Sequence, residues 1–133
     1  MSNKKMNPVV HFEMPSEDKK RTSEFYSRVF GWKMAQLDEK MGNYLLATTS
    51  PVDENNMHIN KGAINGGFFN KGEYGSIPHI VIAVENLDES IKMVNELGGQ
   101  VSEEPTNIPG IGMFVMFKDT EGNRVGMLQP VNM

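Results

Sequence analysis

Two histidines and a glutamate at regular offsets are the residues of this chain best suited to chemistry. His11 and Glu13 stand two apart in an apolar run, and His79 opens a second such run. Alternate side chains of an extended strand share a face, so His11 and Glu13 point the same way. An imidazole titrates near neutral pH, so His11 and His79 can act as acid or base, or as metal ligands. Two imidazoles fall short of the three or four protein ligands usual for zinc. Glu13 can complete a His–His–Glu set, although it lies roughly 7 Å further along the strand at ~3.3 Å per residue. The other reading pairs Glu13 with a cation, Arg124 being the candidate, because a buried carboxylate needs a partner. That ion pair is the preferred reading of the two.

Other reactive-looking residues carry less. His58 lies in a polar stretch, residues 50–61, and reads as a solvated histidine. Glu103 and Glu104 are adjacent on an extended segment and point to opposite faces, so they are a solvated edge and not a dyad. The glycines from Gly62 to Gly67 lack the Lys-Ser/Thr ending and following helix of a phosphate loop. Lys19, Lys20 and Arg21 read as the solvated face of a helix. The sequence has no cysteine, which excludes disulfides, thiolate zinc sites, iron–sulfur clusters and a cysteine nucleophile together.

The elements that must position these groups follow from Pro/Gly punctuation and periodicity. Residues 1–7 read as a tail. Residues 9–14 predict a strand ended by Pro15, and Ser16 is a candidate N-cap for a helix over 17–30, stopped by Gly31. Strands follow at 32–37, 44–49 and 63–69. The second half begins with a strand at 79–84. A helix starts at Asn86, where Glu89 three residues on resembles a capping box, and stops at Gly98-Gly99. Strands are expected at 100–104, 113–117 and 124–128. Both halves spell β-α-β-β-β. A shift of about 68 residues lays His11 on His79 and Gly31 on Gly99, while a shift near 70 lays Tyr44 on Phe114 and one near 60 lays Gly66 on Gly126.

Val10, Phe12 and Met14 then share one face, as do Ile80, Ile82 and Val84, and these greasy faces belong under the helices. His11, Glu13 and His79 are left on the opposite face, together with Arg124, Gly126 and Gly66. If the halves curl together, that face lines a shared cavity. Tyr44, Phe68, Phe69, Phe114 and Trp32 are candidates for lining it, Trp32 being equally suited to packing under a helix. The expected class is α+β: one domain over residues 8–130, made of two βαβββ modules at about 8–70 and 78–130, with a curled mixed sheet and helices outside.

Composition narrows the function classes. The chain has 133 residues, 38% of them apolar and 23% charged, with a formal net charge of −4. One ordinary domain is expected at that length. No basic cluster beyond Lys19-Lys20-Arg21 suggests a nucleic acid partner. No apolar run reaches the ~18 residues of a membrane span, and residues 1–8 carry no signal-like segment, so a cytoplasmic protein is expected. The eleven methionines read mainly as core filling.

The chain resembles the vicinal oxygen chelate superfamily, which holds glyoxalase I, extradiol dioxygenases and the fosfomycin- and bleomycin-resistance proteins. The likeness is carried by His11-Phe12-Glu13-Met14-Pro15-x-x-Asp18, by Phe25-Tyr26-x-x-Val29-Phe30-Gly31-Trp32, by residues 79–84, by Leu97-Gly98-Gly99 and by Phe117-x-Asp119-x-Glu121-Gly122-Asn123-Arg124. It spans residues 8–130 and points to a glyoxalase-related branch. The family's metal enzymes take His and Glu ligands from the first and fourth strands of each module, with zinc, nickel, manganese or iron as Lewis acid. Under that resemblance His11 and His79 hold the first-strand positions, and Gly66 and Gly126 stand where carboxylates would be. Half the ligand set is therefore missing, and a cofactor-free cavity is the preferred expectation, with a divalent metal at His11 and His79 as the alternative.

Three functions stay open: a metal-dependent lactoylglutathione-lyase-like enzyme; a metal-free lyase or isomerase using His11, His79 or Glu13 as acid or base; and a non-catalytic protein that binds or sequesters a small molecule. The absent carboxylates favour the last two. The resemblance also implies a small-molecule ligand and a homodimer. Ligand choice is expected to sit in scattered side chains and in loops 50–61 and 70–77, neither of which carries a readable motif.

Overall fold

The computed structural model describes residues 6–72 and 75–131. Residues 1–5 of the expected tail, and Glu73 and Tyr74 of the 70–77 loop, lie outside the described residues. The class is α+β, and the βαβββ order occurs twice. The first pass is β1 (Val9–Ser16), α1 (Lys19–Phe30), β2 (Lys33–Gln36), β3 (Leu45–Thr48) and β4 (Asn65–Asn70). The second is β5 (His79–Ala83), α2 (Leu87–Glu96), β6 (Thr106–Ile108), β7 (Gly112–Lys118) and β8 (Arg124–Pro130). The chain divides into two compact units, His11–Pro78 and the residues up to Val10 together with His79 onward.

In the first unit the sheet order is β2-β3-β4-β1, with β1 and β4 parallel and the other pairs antiparallel. The cap of α1 is Asp18, not Ser16: the Asp18 side chain accepts the Arg21 N–H at 3.0 Å. Strand β1 runs on through Pro15 to Ser16, whose hydroxyl instead bonds Thr22 Oγ1 at 2.7 Å. Gly31 stops the helix in the left-handed region, φ 73°, where a Cβ would be strained. The helix-side core joins Phe12 and Met14 of β1 to Tyr26 of α1, Trp32, Met34, Leu45, Ala47 and Phe68. Tyr26 stacks on Trp32 with centroids 4.9 Å apart, so Trp32 is a packing residue.

In the second unit β8 lies between β5, parallel to it, and β7, which in turn pairs antiparallel with β6. Asn86 caps α2 by accepting the Glu89 N–H at 3.0 Å. Ile82, Val84, Leu87, Ile91, Val94, Val115 and Met127 form the core under the helix. The strand expected at 100–104 is displaced to Thr106–Ile108. Only an isolated bridge, Gln100 to Lys118, remains at the expected place. The Met116 N–H there donates to the Glu103 carboxylate at 3.3 Å, so a side chain takes the place of a ladder carbonyl.

Candidate functional site

The first unit gathers three polar side chains on the face away from its helix. His11 and Glu13 project from β1, and Tyr44 reaches them from the residue before β3. A tight reversal delivers Tyr44: the turn Glu39–Met41 ends at Gly42 and Asn43, both in the left-handed region at φ 69° and 56°. The Leu37 N–H then donates to Tyr44 O at 2.8 Å and anchors the backbone at the strand start. The Tyr44 hydroxyl donates to Glu13 Oε2 at 2.8 Å. It also lies 3.0 Å from His11 Nε2. A hydroxyl carries one proton, already given to the carboxylate, so Nε2–H of His11 is the donor to Tyr44 Oη. Glu13 is only 8% exposed, and a carboxylate at that depth needs such a donor. His11 is half-buried at the other end of this hydrogen-bonded chain.

Register decides which glycine faces this trio. Glu13 pairs with Gly67 and Phe12 with Gly66 across the parallel β1–β4 ladder. A Cβ on Gly66 would run into the Phe12 ring on the helix side, whereas one on Gly67 would run into the Tyr44 ring. The expected site position at Gly66 is therefore corrected to Gly67. The repeat offset drifts by one residue there, and one residue reverses the face. Phe68 is corrected with it. At 2% exposure it lies in the helix-side core, its ring 5.2 Å from that of Tyr26, and does not line a ligand cavity.

In the second unit His79 begins β5, is 7% exposed and shares a face with Val81. Val81 pairs with Gly126. A Cβ on Gly126 would lie 2.7 Å from Phe114 Cε1 and 3.2 Å from Val81 Cγ2, so Gly126 faces the His79 side. Arg124 is exposed at the start of β8 and lines a small pocket of about 120 Å³ with Glu103 and Lys118. A larger depression of about 340 Å³ lies on the helix side, lined by Ile82, Met93, Leu97 and Phe117 among others, and holds none of the candidate residues. His58 is half-buried and bridges to Val52, in place of the solvated position expected.

Among the described residues no group of three or more His, Cys, Asp or Glu is placed to hold a metal ion. The two spaces a fourth-strand carboxylate would need, over Gly67 and over Gly126, are filled by the rings of Tyr44 and Phe114. His11 Nε2 and Glu13 Oε2 are turned toward the phenol. This donor set does not fit the divalent metal of the family's enzymes.

A sequence model of the Glyoxalase/Bleomycin resistance protein/Dioxygenase superfamily matches residues 9–127. The chain belongs to that superfamily. A lactoylglutathione lyase of Escherichia coli is 25% identical over 124 residues, 91% of each chain. A Streptomyces coelicolor methylmalonyl-CoA epimerase superposes with a TM-score of 0.69 at 14% identity, covering 96% of this chain and 99% of that one. A Bacillus halodurans protein superposes at 0.68 with 16% identity, covering 97% and 98%. At those identities the two solved structures speak for the fold. In this superfamily member a phenol stands between His11 and Glu13. Sequence reading placed Tyr44 among apolar cavity residues. The signal for its hydrogen-bonded position was present in the 70-residue offset, which set a hydroxyl-bearing ring against Phe114 at one strand start only.

Proposed function

We propose that this superfamily member is a small-molecule enzyme of isomerase or lyase type that moves a proton along His11, Tyr44 and Glu13 without a metal. The observation that carries the reading is the Tyr44 hydroxyl bonded to both partners, at 3.0 and 2.8 Å. When His11 accepts a proton from a carbon acid at Nδ1, its Nε2 proton passes to Tyr44 Oη and the Tyr44 proton passes to Glu13 Oε2. Imidazole and phenol end neutral, and Glu13 ends as the carboxylic acid. The reverse shift returns a proton to the substrate. Positioned acid–base groups of this kind contribute about 10²–10⁴-fold. The reading takes the ligand to be a small molecule and the protein to be a homodimer, as the family resemblance suggests, and its compartment to be the cytoplasm. No described helix is long and apolar enough to cross a membrane.

The test is solvent exchange. Methylmalonyl-CoA and S-lactoylglutathione are incubated in D₂O with the protein and EDTA, and deuterium at carbon is read by mass spectrometry. Exchange with EDTA present that slows about 100-fold in Glu13→Gln supports the reading. Exchange that appears only when metal is added, or that Glu13→Gln leaves unchanged, overturns it. A second reading, ligand binding without chemistry, is favoured by the wholly apolar Phe114–Gly126–Val81 contact below His79. It predicts tight binding of a ligand and no exchange.

A further inference from the structure

We propose that Gly67 is the positioning residue of this site. Its missing side chain admits the Tyr44 ring, which fixes the phenol between His11 and Glu13 and bars a fourth-strand carboxylate, and with it a metal, from the first unit. Three observations converge. The space a Gly67 Cβ would take is already held by Tyr44 Cε2, Cζ and Oη. Gly67 is the ladder partner of Glu13, so any side chain it carried would rise beside that carboxylate. Gly67 has no left-handed backbone angle that would by itself call for glycine. The reason for glycine at this place is steric, and the group served is the phenol.

Gly67 and Tyr44 are therefore alternatives to a carboxylate on β4 and cannot coexist with one. The Tyr44 backbone is anchored by the Leu37 N–H and follows two residues in the left-handed region. The Tyr44 ring cannot swing aside without losing both hydrogen bonds of its hydroxyl.

The inference rests on the same trio as the proton-transfer reading, but its test reads stability and metal binding, so either can fail alone. The experiment is a double-mutant cycle on the full chain, with Ni²⁺ titrated calorimetrically into each variant. Gly67→Ala is expected to lower Tm by roughly 5–10 °C when Tyr44 is present, the scale of an overpacked site. The same change should cost no more than about 2 °C in a Tyr44→Ala background, because coupled neighbours are not additive. Tyr44→Ala/Gly67→Glu should bind Ni²⁺ at least ~100-fold more tightly than the unaltered chain, and adding His11→Ala should abolish the gain. Equal costs of Gly67→Ala in the two backgrounds overturn the positioning role. Ni²⁺ binding to the unaltered chain as tight as to the double variant, or no gain in the double variant, overturns the exclusion of metal. Tyr44→Phe, which keeps the ring over Gly67, guards against loss of fold: it should remain as sensitive to Gly67→Ala as the unaltered chain.

Discussion

Phe114 lies against Gly126 so closely that a Cβ on the glycine would stand 2.7 Å from Phe114 Cε1. The same relationship joins Tyr44 to Gly67 in the other unit. Each module thus sets an aromatic ring from its third strand start, or the strand itself, over a glycine of its fourth strand. The two copies have diverged in polarity. Around Gly67 stand His11, Tyr44 and Glu13, while the matching ring and first-strand neighbour at Gly126 are Phe114 and Val81.

Gly126→Ala is expected to destabilise the protein by about 1–3 kcal/mol through overpacking. Urea denaturation measures it, and Phe114→Leu in the same chain should recover part of the loss. A substitution without effect would mean that the ring can move aside.

Tyr44→Phe deletes the hydroxyl and leaves the ring in place. The bond from His11 and the bond to Glu13 are both lost, and the one to the carboxylate alone has an expected cost of about 1.5–3 kcal/mol. Urea midpoints of the two proteins give the value, and a change under ~0.5 kcal/mol would contradict a well-formed bond to Glu13.

Phe68→Ala should be the more damaging change, although its side chain lies in the helix-side core and not with the polar trio. The side chain is 2% exposed and packs on Tyr26. Truncating a buried Phe costs about 3–5 kcal/mol, to be read by scanning calorimetry.

Asp119 gives a prediction in pH. Hydrogen bonds from the Asn123 side chain, the Asn123 N–H and the Glu121 N–H hold its carboxyl below the ordinary value of 3.8. A depressed acid stabilises the fold above its unfolded pKa and loses that contribution as pH falls through the folded value. The Tm advantage of the unaltered protein over Asp119→Asn should therefore be full at pH 6 and close progressively below about pH 4. An advantage that widens in acid would reverse the sign and refute the assignment.

Most of the fold was legible because its signals are local. Asn86 with Glu89 and Gly31 after Phe30 mark helix ends by chemistry that acts within a few residues. The doubled order of elements followed from them. What escaped were matters of register. Gly66 and Gly67 are indistinguishable as letters, and only the ladder partner, Phe12 or Glu13, tells which faces the trio. The strand near 100–104 failed for a related reason: the Glu103 carboxylate satisfies Met116 N–H, a competition between side chain and backbone that no pattern of apolar residues records. Tyr44 was assigned by its ring, and its hydroxyl found its partners only through the turn that aims it.

The backbone N–H of Ala83 donates to Pro8 O at 2.9 Å, inside the unit that begins again at His79. The repeat in the sequence and the compact unit in the structure are consequently not the same stretch of chain. A nascent polypeptide makes that acceptor first and its donor only after the whole of the other unit has been synthesised. A fragment beginning at His79 would lack a strand-end contact held by the earliest described residues, so excision there parts the second copy from a piece of its own compact unit.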